Sequence, residues 1–416
     1  MSYINNISIG DSANLDAFSR LRVSQPENIF NVQCQYSKAT IQMENGATGT
    51  GVTPAHDINT RMVTLSATAG SGTSFMQSFQ YSPYQPGISH FIAVTFVLST
   101  AVAATTVDVG YFDSLNGIFL RQNGATNYQI IRRSSTSGSV VDVPIAQSSW
   151  NVDKFDGNGP SGHTIDLTKC QILVIDLQFL GMGRVRVGFD IDGSIHYAHE
   201  FLNANSLSVP YMQQATLPIQ ILLTATSSAT TKTSYFKCAT INAEGGNLDL
   251  YGYLFATPDV TATAGSGAKT AILSVRPKTT FNSIPNREYF EILDIQMITT
   301  GANPVYWELC IGNTFSVAPT WADINTTNSA YEYTSAPGTY SGTGTVIANG
   351  YINGTGGGSS PSTVTPIILP SNLSRKFPIS LDRAGAVRAL GTLNLIVTGI
   401  GGASAVRATM NFKEVR

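Results

Sequence analysis

Residues 171–201 constrain this chain more than any other stretch, because they alternate apolar and polar side chains in three successive runs. In 171–179, Leu173, Ile175, Leu177 and Phe179 share a face, and Ile172 and Val174 partly fill the other. In 184–191, Val185, Val187, Phe189 and Ile191 alternate with Arg184, Arg186 and Asp190. Residues 194–201 form the third run. Successive side chains on a strand point to opposite faces, so this pattern predicts three antiparallel strands. Gly181 and Gly183 punctuate the first connection and Asp192-Gly193 the second. A two-residue turn at Asp192-Gly193 would set Phe189 opposite His196. A three-residue loop would set Ile191 opposite Ile195, Phe189 opposite Tyr197 and Val185 opposite Phe201. The second register gathers the large apolar side chains on one face and is the expected one; the first requires a sheet covered on both faces.

The 416 residues allow two or three domains. Only 12% are charged, so the surface is one of hydroxyls and amides. With a net charge of -2 there is no electrostatic case for a nucleic-acid partner or an anionic membrane. No apolar run is long enough to span a bilayer, so no membrane insertion is expected, and the first residues lack the layout of a signal peptide. Cys34, Cys170, Cys238 and Cys310 are far apart and read as free thiols.

The predicted fold is all-β. Residues 1–28 form an N-terminal arm, 29–245 an antiparallel β-sandwich of jelly-roll or lectin-like type, and 246–416 a second β-sandwich-like domain with Gly/Ser-rich loops. In the arm, Phe18, Leu21 and Val23 are the expected anchors, and Arg20 and Arg22 complete the interaction set. Residues 91–98 (FIAVTFVL) read as a central strand buried on both sides. Residues 68–72 and 263–267, both TAGSG, read as two Gly-rich turns, and 334–363 as one or two long loops.

Motifs for chemistry are weak. His196 and His199 lie three apart on a strand, on opposite faces, so they cannot share a metal. Residues 265–270 (GSGAKT) fail the phosphate-loop spacing. Asp153, Asp156, Asp190, Asp192 and Glu200 read as solvated carboxylates, with calcium at 153–158 a minor alternative. Tyr81, Tyr84, Tyr111, Tyr128, Tyr251, Tyr253, Tyr306, Tyr331 and Tyr333 suit core packing, a protein interface or a sugar platform.

Several stretches, in order, resemble a family of virion structural proteins of tailed bacteriophages. Residues 16–26 (DAFSRLRVSQP) are similar to the family's DAFGRLRVS-x-P opening, with Ser19 in place of Gly. Tyr84-Gln85-Pro86-Gly87 with Ser89 resembles YQPGKSQ, with Ile88 and His90 in place of Lys and Gln. Residues 110–119, 156–162 (DGNGPSG), 183–189 (GRVRVGF) and 217–219 continue the match, which covers about residues 14–240. The resemblance implies a non-enzymatic virion protein of the tail, baseplate or fibre, held by other virion proteins and by copies of itself, with a trimer expected. It supplies no catalytic residue and no cofactor. The rival expectations are a capsid decoration or head-fibre protein, and a glycan-binding module or depolymerase that meets a host-surface glycan.

Overall fold

The computed structural model describes residues 14–22, 26–124, 127–245, 252–312, 315, 317–335, 344–355, 367–368 and 377–416. The chain divides into two compact units, Met1–Asp249 and Leu250–Arg416. Both are built from antiparallel strands, and among the described residues the only helical segment is one 3₁₀ turn, Gln147–Ser149.

The N-terminal unit has 13 strands in one curled sheet. They are β1 Glu27–Gln33, β2 Met43–His56, β3 Val63–Ser78, β4 Ser89–Val97, β5 Thr105–Phe112, β6 Gly117–Asn123, β7 Asn127–Ser134, β8 Val141–Ala146, β9 Gln171–Leu177, β10 Val185–Ile191, β11 Ser194–Phe201, β12 Ile219–Ser228 and β13 Lys232–Glu244. The order is β11-β10-β9-β4-β13-β3-β12-β5-β6-β7-β8, with β1 on β13 and β2 on β3. Its core holds Ile92, Val94, Phe96, Leu173, Ile175, Leu177, Val185, Val187 and Phe189, all buried. Each such side chain contributes roughly 1.5–3 kcal/mol.

The β10–β11 hairpin takes the two-residue turn. Phe189 faces His196 and Ile191 faces Ser194. Asp192 (φ 54°) and Gly193 (φ 84°) both lie in the left-handed region, as a primed turn requires. The expected three-residue register is therefore corrected near the turn. A bulge between Val187 and Gly188 then shifts the pairing by one residue, so Val185 does face Phe201. Gly188 makes the bulge possible, because a Cβ there would meet the His196 carbonyl oxygen at 2.1 Å. The apolar clustering argument failed because the sheet is covered on both faces here: Val185 through Phe189 are all buried.

Three further expectations change. Residues 68–72 are not a turn; they lie inside β3, a 16-residue strand, where Gly72 closes on Gly49 and Gly51 of β2. A Cβ on Gly72 would sit 2.4 Å from the Gly51 nitrogen, so the glycines let two bulged strands meet. In β4, His90, Ile92, Val94 and Phe96 are buried while Phe91, Ala93 and Thr95 are half-buried, so it is not a strand equally buried on both sides. Part of the expected loop 334–363 is a strand, Thr345–Ile352.

The C-terminal unit contains β14 Tyr253–Ala256, β15 Val260–Ala264, β16 Thr270–Pro277, β17 Thr280–Phe281, β18 Ile284–Pro285, β19 Tyr289–Thr299, β20 Val305–Ile311, β21 Ala322–Asp323, β22 Tyr331–Thr334, β23 Thr345–Ile352, β24 Ile367–Ile368, β25 Leu393–Gly399 and β26 Ser404–Val415. A five-stranded sheet (β14-β26-β19-β24, with β15 on β26) accompanies a six-stranded one (β21-β22-β16-β25-β20-β23). Side chains from both sheets, among them Ile295, Met410, Phe412, Trp307, Leu309 and Leu395, form one core. This is the second sandwich.

Candidate docking site

On one face of the N-terminal sheet, neighbouring strands bring charge together. Register places Phe91 of β4 beside Asp176 of β9 and Asp176 beside Arg186 of β10. Ser89 of β4 lies beside Glu244 of β13. The alternate positions His90, Ile92, Ile175 and Leu177 are buried. Asp176 is fully buried and Arg186 is 2% exposed. The Arg186 guanidinium donates to Asp176 Oδ2 at 2.5 Å, and the Tyr197 hydroxyl donates to the same oxygen at 2.8 Å.

Residues 14–22 cover this face. Asp16 shapes them into a tight loop: its Oδ1 accepts the Phe18 and Arg20 N–H groups at 2.9 and 2.8 Å, and its Oδ2 accepts Arg20 Nε at 2.8 Å. A bridge from Leu15 to Leu21 closes the loop. Ser19 at its tip has φ 62°, the left-handed conformation that glycine adopts without cost.

The loop is held by ions more than by apolar anchors. Arg22 donates to Asp176 Oδ2 at 2.5 Å, pairs with Glu244 Oε1 at 2.9 Å, and lies over the Phe91 ring at 5.0 Å. Arg186 donates to the Leu15 carbonyl at 2.5 Å. Arg20 reaches the carbonyls of Glu244 and Gly87 at 3.2 and 3.5 Å, and Arg184 reaches Ser19 Oγ at 3.2 Å. The Ser89 hydroxyl lies 3.3 Å from Asp16 Oδ2. Three guanidinium groups (Arg20, Arg22 and Arg186) thus meet three carboxylates (Asp16, Asp176 and Glu244). Buried ions are tolerated only with such pairing.

None of the expected apolar anchors is among the buried residues of this loop. Leu15, Asp16 and Ala17 are buried, whereas Phe18 is half-buried and Leu21 is 48% exposed. Arg20 and Arg22 make contacts within their own unit, and residues 14–22 are docked on it. Val23 lies outside the described residues.

Burial raises the Glu244 carboxyl to about 7; Arg22 beside it pulls the other way without offsetting this, and Asp176 and Asp16 push it further up. Burial works against the Arg22 charge, but Asp176, Tyr197 and Glu244 outweigh it and raise its pKa. Beneath, on the opposite face, His90 is fully buried between Tyr84 and Tyr111 at ring distances of 5.4 and 6.5 Å. Neither of its ring nitrogens has a hydrogen-bond partner among the described residues, and burial lowers it to about 4.

The remaining sequence candidates do not converge. His196 stands 5.1 Å from His163, ring to ring, while His199 packs on Phe201 at 4.7 Å. Asp153 is buried, and its two oxygens accept the Phe155 and Ser161 N–H groups at 2.7 Å each. Burial raises its pKa, but these bonds prevail and lower it. It clasps its loop and is not a solvated carboxylate. Among the described residues no cluster of three His, Cys, Asp or Glu side chains could hold a metal ion. Lys269 pairs with Glu308. Tyr81, Tyr111 and Tyr331 are buried, Tyr253 is exposed, Tyr306 pairs with Tyr351, and Tyr251 lies outside the described residues.

No family model matches the chain, and no curated protein matches it. Among solved structures it is similar to the carbohydrate recognition domain of Emp47p (8% identity, 54% of this chain and 99% of that one, TM-score 0.34). It is also similar to a legume lectin-like domain from Entamoeba histolytica (9% identity, 54% and 100%, TM-score 0.31). A third similar structure is a glycosyl hydrolase family protein from Mycobacterium fortuitum (12% identity, 52% and 99%, TM-score 0.34). At such low scores these likenesses carry no argument about what this chain binds or does.

Proposed function

We propose that this chain is a non-enzymatic structural protein of a particle, of the kind its motifs resemble in tailed-phage virions, and that it works by being held and by holding neighbours. One observation supports this reading above the rest. Three motifs on which the resemblance rests are far apart in sequence and meet at one place. Asp16, Arg20 and Arg22 come from the first, Gly87 and Ser89 from the second, Arg184 and Arg186 from the third. There they pair with one another, with Asp176 and with Glu244. Their chemistry goes into securing the loop of residues 14–22. The proposal extends to virion localisation, to other virion proteins as partners and to a homo-oligomer, with a trimer expected.

Mass spectrometry and antibody labelling of particles shed by cells that carry this gene test the reading. Stoichiometric copies at one particle location are expected, and hundreds per particle would move that location to the capsid. Absence from washed particles would refute it. Light scattering of the full chain tests the oligomer.

A second reading, a glycan-binding module at the particle surface, is favoured by the exposed Tyr351 ring packed beside the half-buried Tyr306 on the C-terminal unit.

A further inference from the structure

We infer that the outer face of the six-stranded sheet, at β20 and β23, is a binding site for a neutral saccharide; this rests on the second reading above and gives it a location. Tyr306 and Tyr351 are register partners, with ring centroids 5.1 Å apart and planes 47° apart. Tyr351 is 73% exposed. On the same strands Val305, Trp307, Leu309 and Ile352 point into the core, so the tyrosines are on the solvent side by alternation. A large aromatic ring left this open, on a sheet whose other face is well packed, marks a binding surface.

The next row supplies the polar half. Glu308 is directly across from Asn349. Its Oε1 accepts the Tyr306 hydroxyl at 3.2 Å, and its Oε2 pairs with the Lys269 ammonium. Asn349 is exposed and the Lys269 side chain is 44% exposed. Rings for the apolar face of a pyranose thus stand beside an ammonium that donates and an amide that donates and accepts, while the buried Glu308 carboxylate fixes the Tyr306 hydroxyl and the ammonium in place. That is the amphipathic pattern of a sugar ring, apolar on its C–H face and hydroxyl-rimmed. The Lys269–Glu308 pair cancels its own charge, so the site has no net attraction for an anion.

Calorimetric titration of the full chain with cello-, malto-, manno- and N-acetylchito-hexaose, and with an oligogalacturonate, tests this. Binding of at least one neutral hexaose is expected. Tyr351→Ala should weaken it at least about 10-fold, Tyr351→Phe by less than about 3-fold, and Asn349→Ala by an intermediate factor. Tyr351 is exposed, so these variants should fold; unchanged circular dichroism confirms it. Equal binding by Tyr351→Ala would overturn this site and leave the glycan reading intact. No binding of any neutral hexaose by the wild type would overturn both. Binding of the oligogalacturonate alone would overturn the neutral class.

Discussion

Replacing Asp176 by Asn tests whether the docked loop is held by buried charge. Asp176 is fully buried, and its Oδ2 takes Arg22, Arg186 and the Tyr197 hydroxyl together. Asparagine keeps the shape and one acceptor oxygen but removes the charge. Arg186, 2% exposed, would then keep its own charge after losing that of Asp176. Breaking one side of a buried pair costs about 3–5 kcal/mol. A unit of this size shifts its melting temperature by about 2–4 °C per kcal/mol, so a fall of roughly 6–20 °C is expected. Scanning calorimetry of the full chain measures it, and hydrogen exchange of peptides from β9 and β10 assigns the transition to the N-terminal unit. The double variant Asp176→Leu with Arg186→Met should recover most of the loss, because an apolar pair costs no desolvation of ions. Arg22 keeps Glu244 in that variant. A loss under about 1 kcal/mol for Asp176→Asn, or a double variant no better than the single one, would refute the reasoning.

Ser19→Gly should stabilise the N-terminal unit by about 0.5–1 kcal/mol, because φ 62° at the loop tip strains serine and not glycine; urea unfolding measures it, and a loss would count against the loop geometry. Glu244, raised to about 7 by burial, contributes stability that is fully present below about pH 4.5 and lost as pH rises through 7. Between pH 5 and 8 the wild type should therefore lose up to about 3 kcal/mol relative to Glu244→Gln, and parallel pH profiles for the two would show that the carboxyl does not titrate there. His90 and His199, both lowered to about 4 by burial, work in the opposite direction, costing stability as pH falls from 6.5 towards 4. His90→Phe should reduce that acid loss, as read from urea midpoints at pH 4.5 and 6.5.

The sequence read well where one strand face is apolar and the other polar. β26 follows that pattern closely, whereas β9 and β10 are buried on both faces, which is why the hairpin register was not legible. β2 was not legible: its residues, MENGATGTGVTPAH, hold few large apolar side chains, and its place is set by glycines meeting glycines on β3. β23 was hidden for the same reason, as a Gly- and Thr-containing edge strand inside a Gly/Ser-rich stretch. At the docking site, Arg20 and Arg22 were visible in the arm, but their partners were not. Asp176 reads as one polar residue in an apolar strand, and Glu244 as the first residue of a linker. Only strand register puts them 2.5 and 2.9 Å from Arg22. The one local clue was the Ser19 position, where the resembling motif has glycine and the loop needs a left-handed residue.

The pairing of β1 with β13, Glu27 against Ala243, has a consequence for biosynthesis. The residues of the unit's first strand find their partners in its last strand. At roughly 5–20 residues per second, they wait about 10–40 seconds before that seam can close. Meanwhile the apolar side of β1, with Phe30 and Val32, stays open to chaperones and to other nascent chains, so yield in the cell should depend on how those seconds are spent.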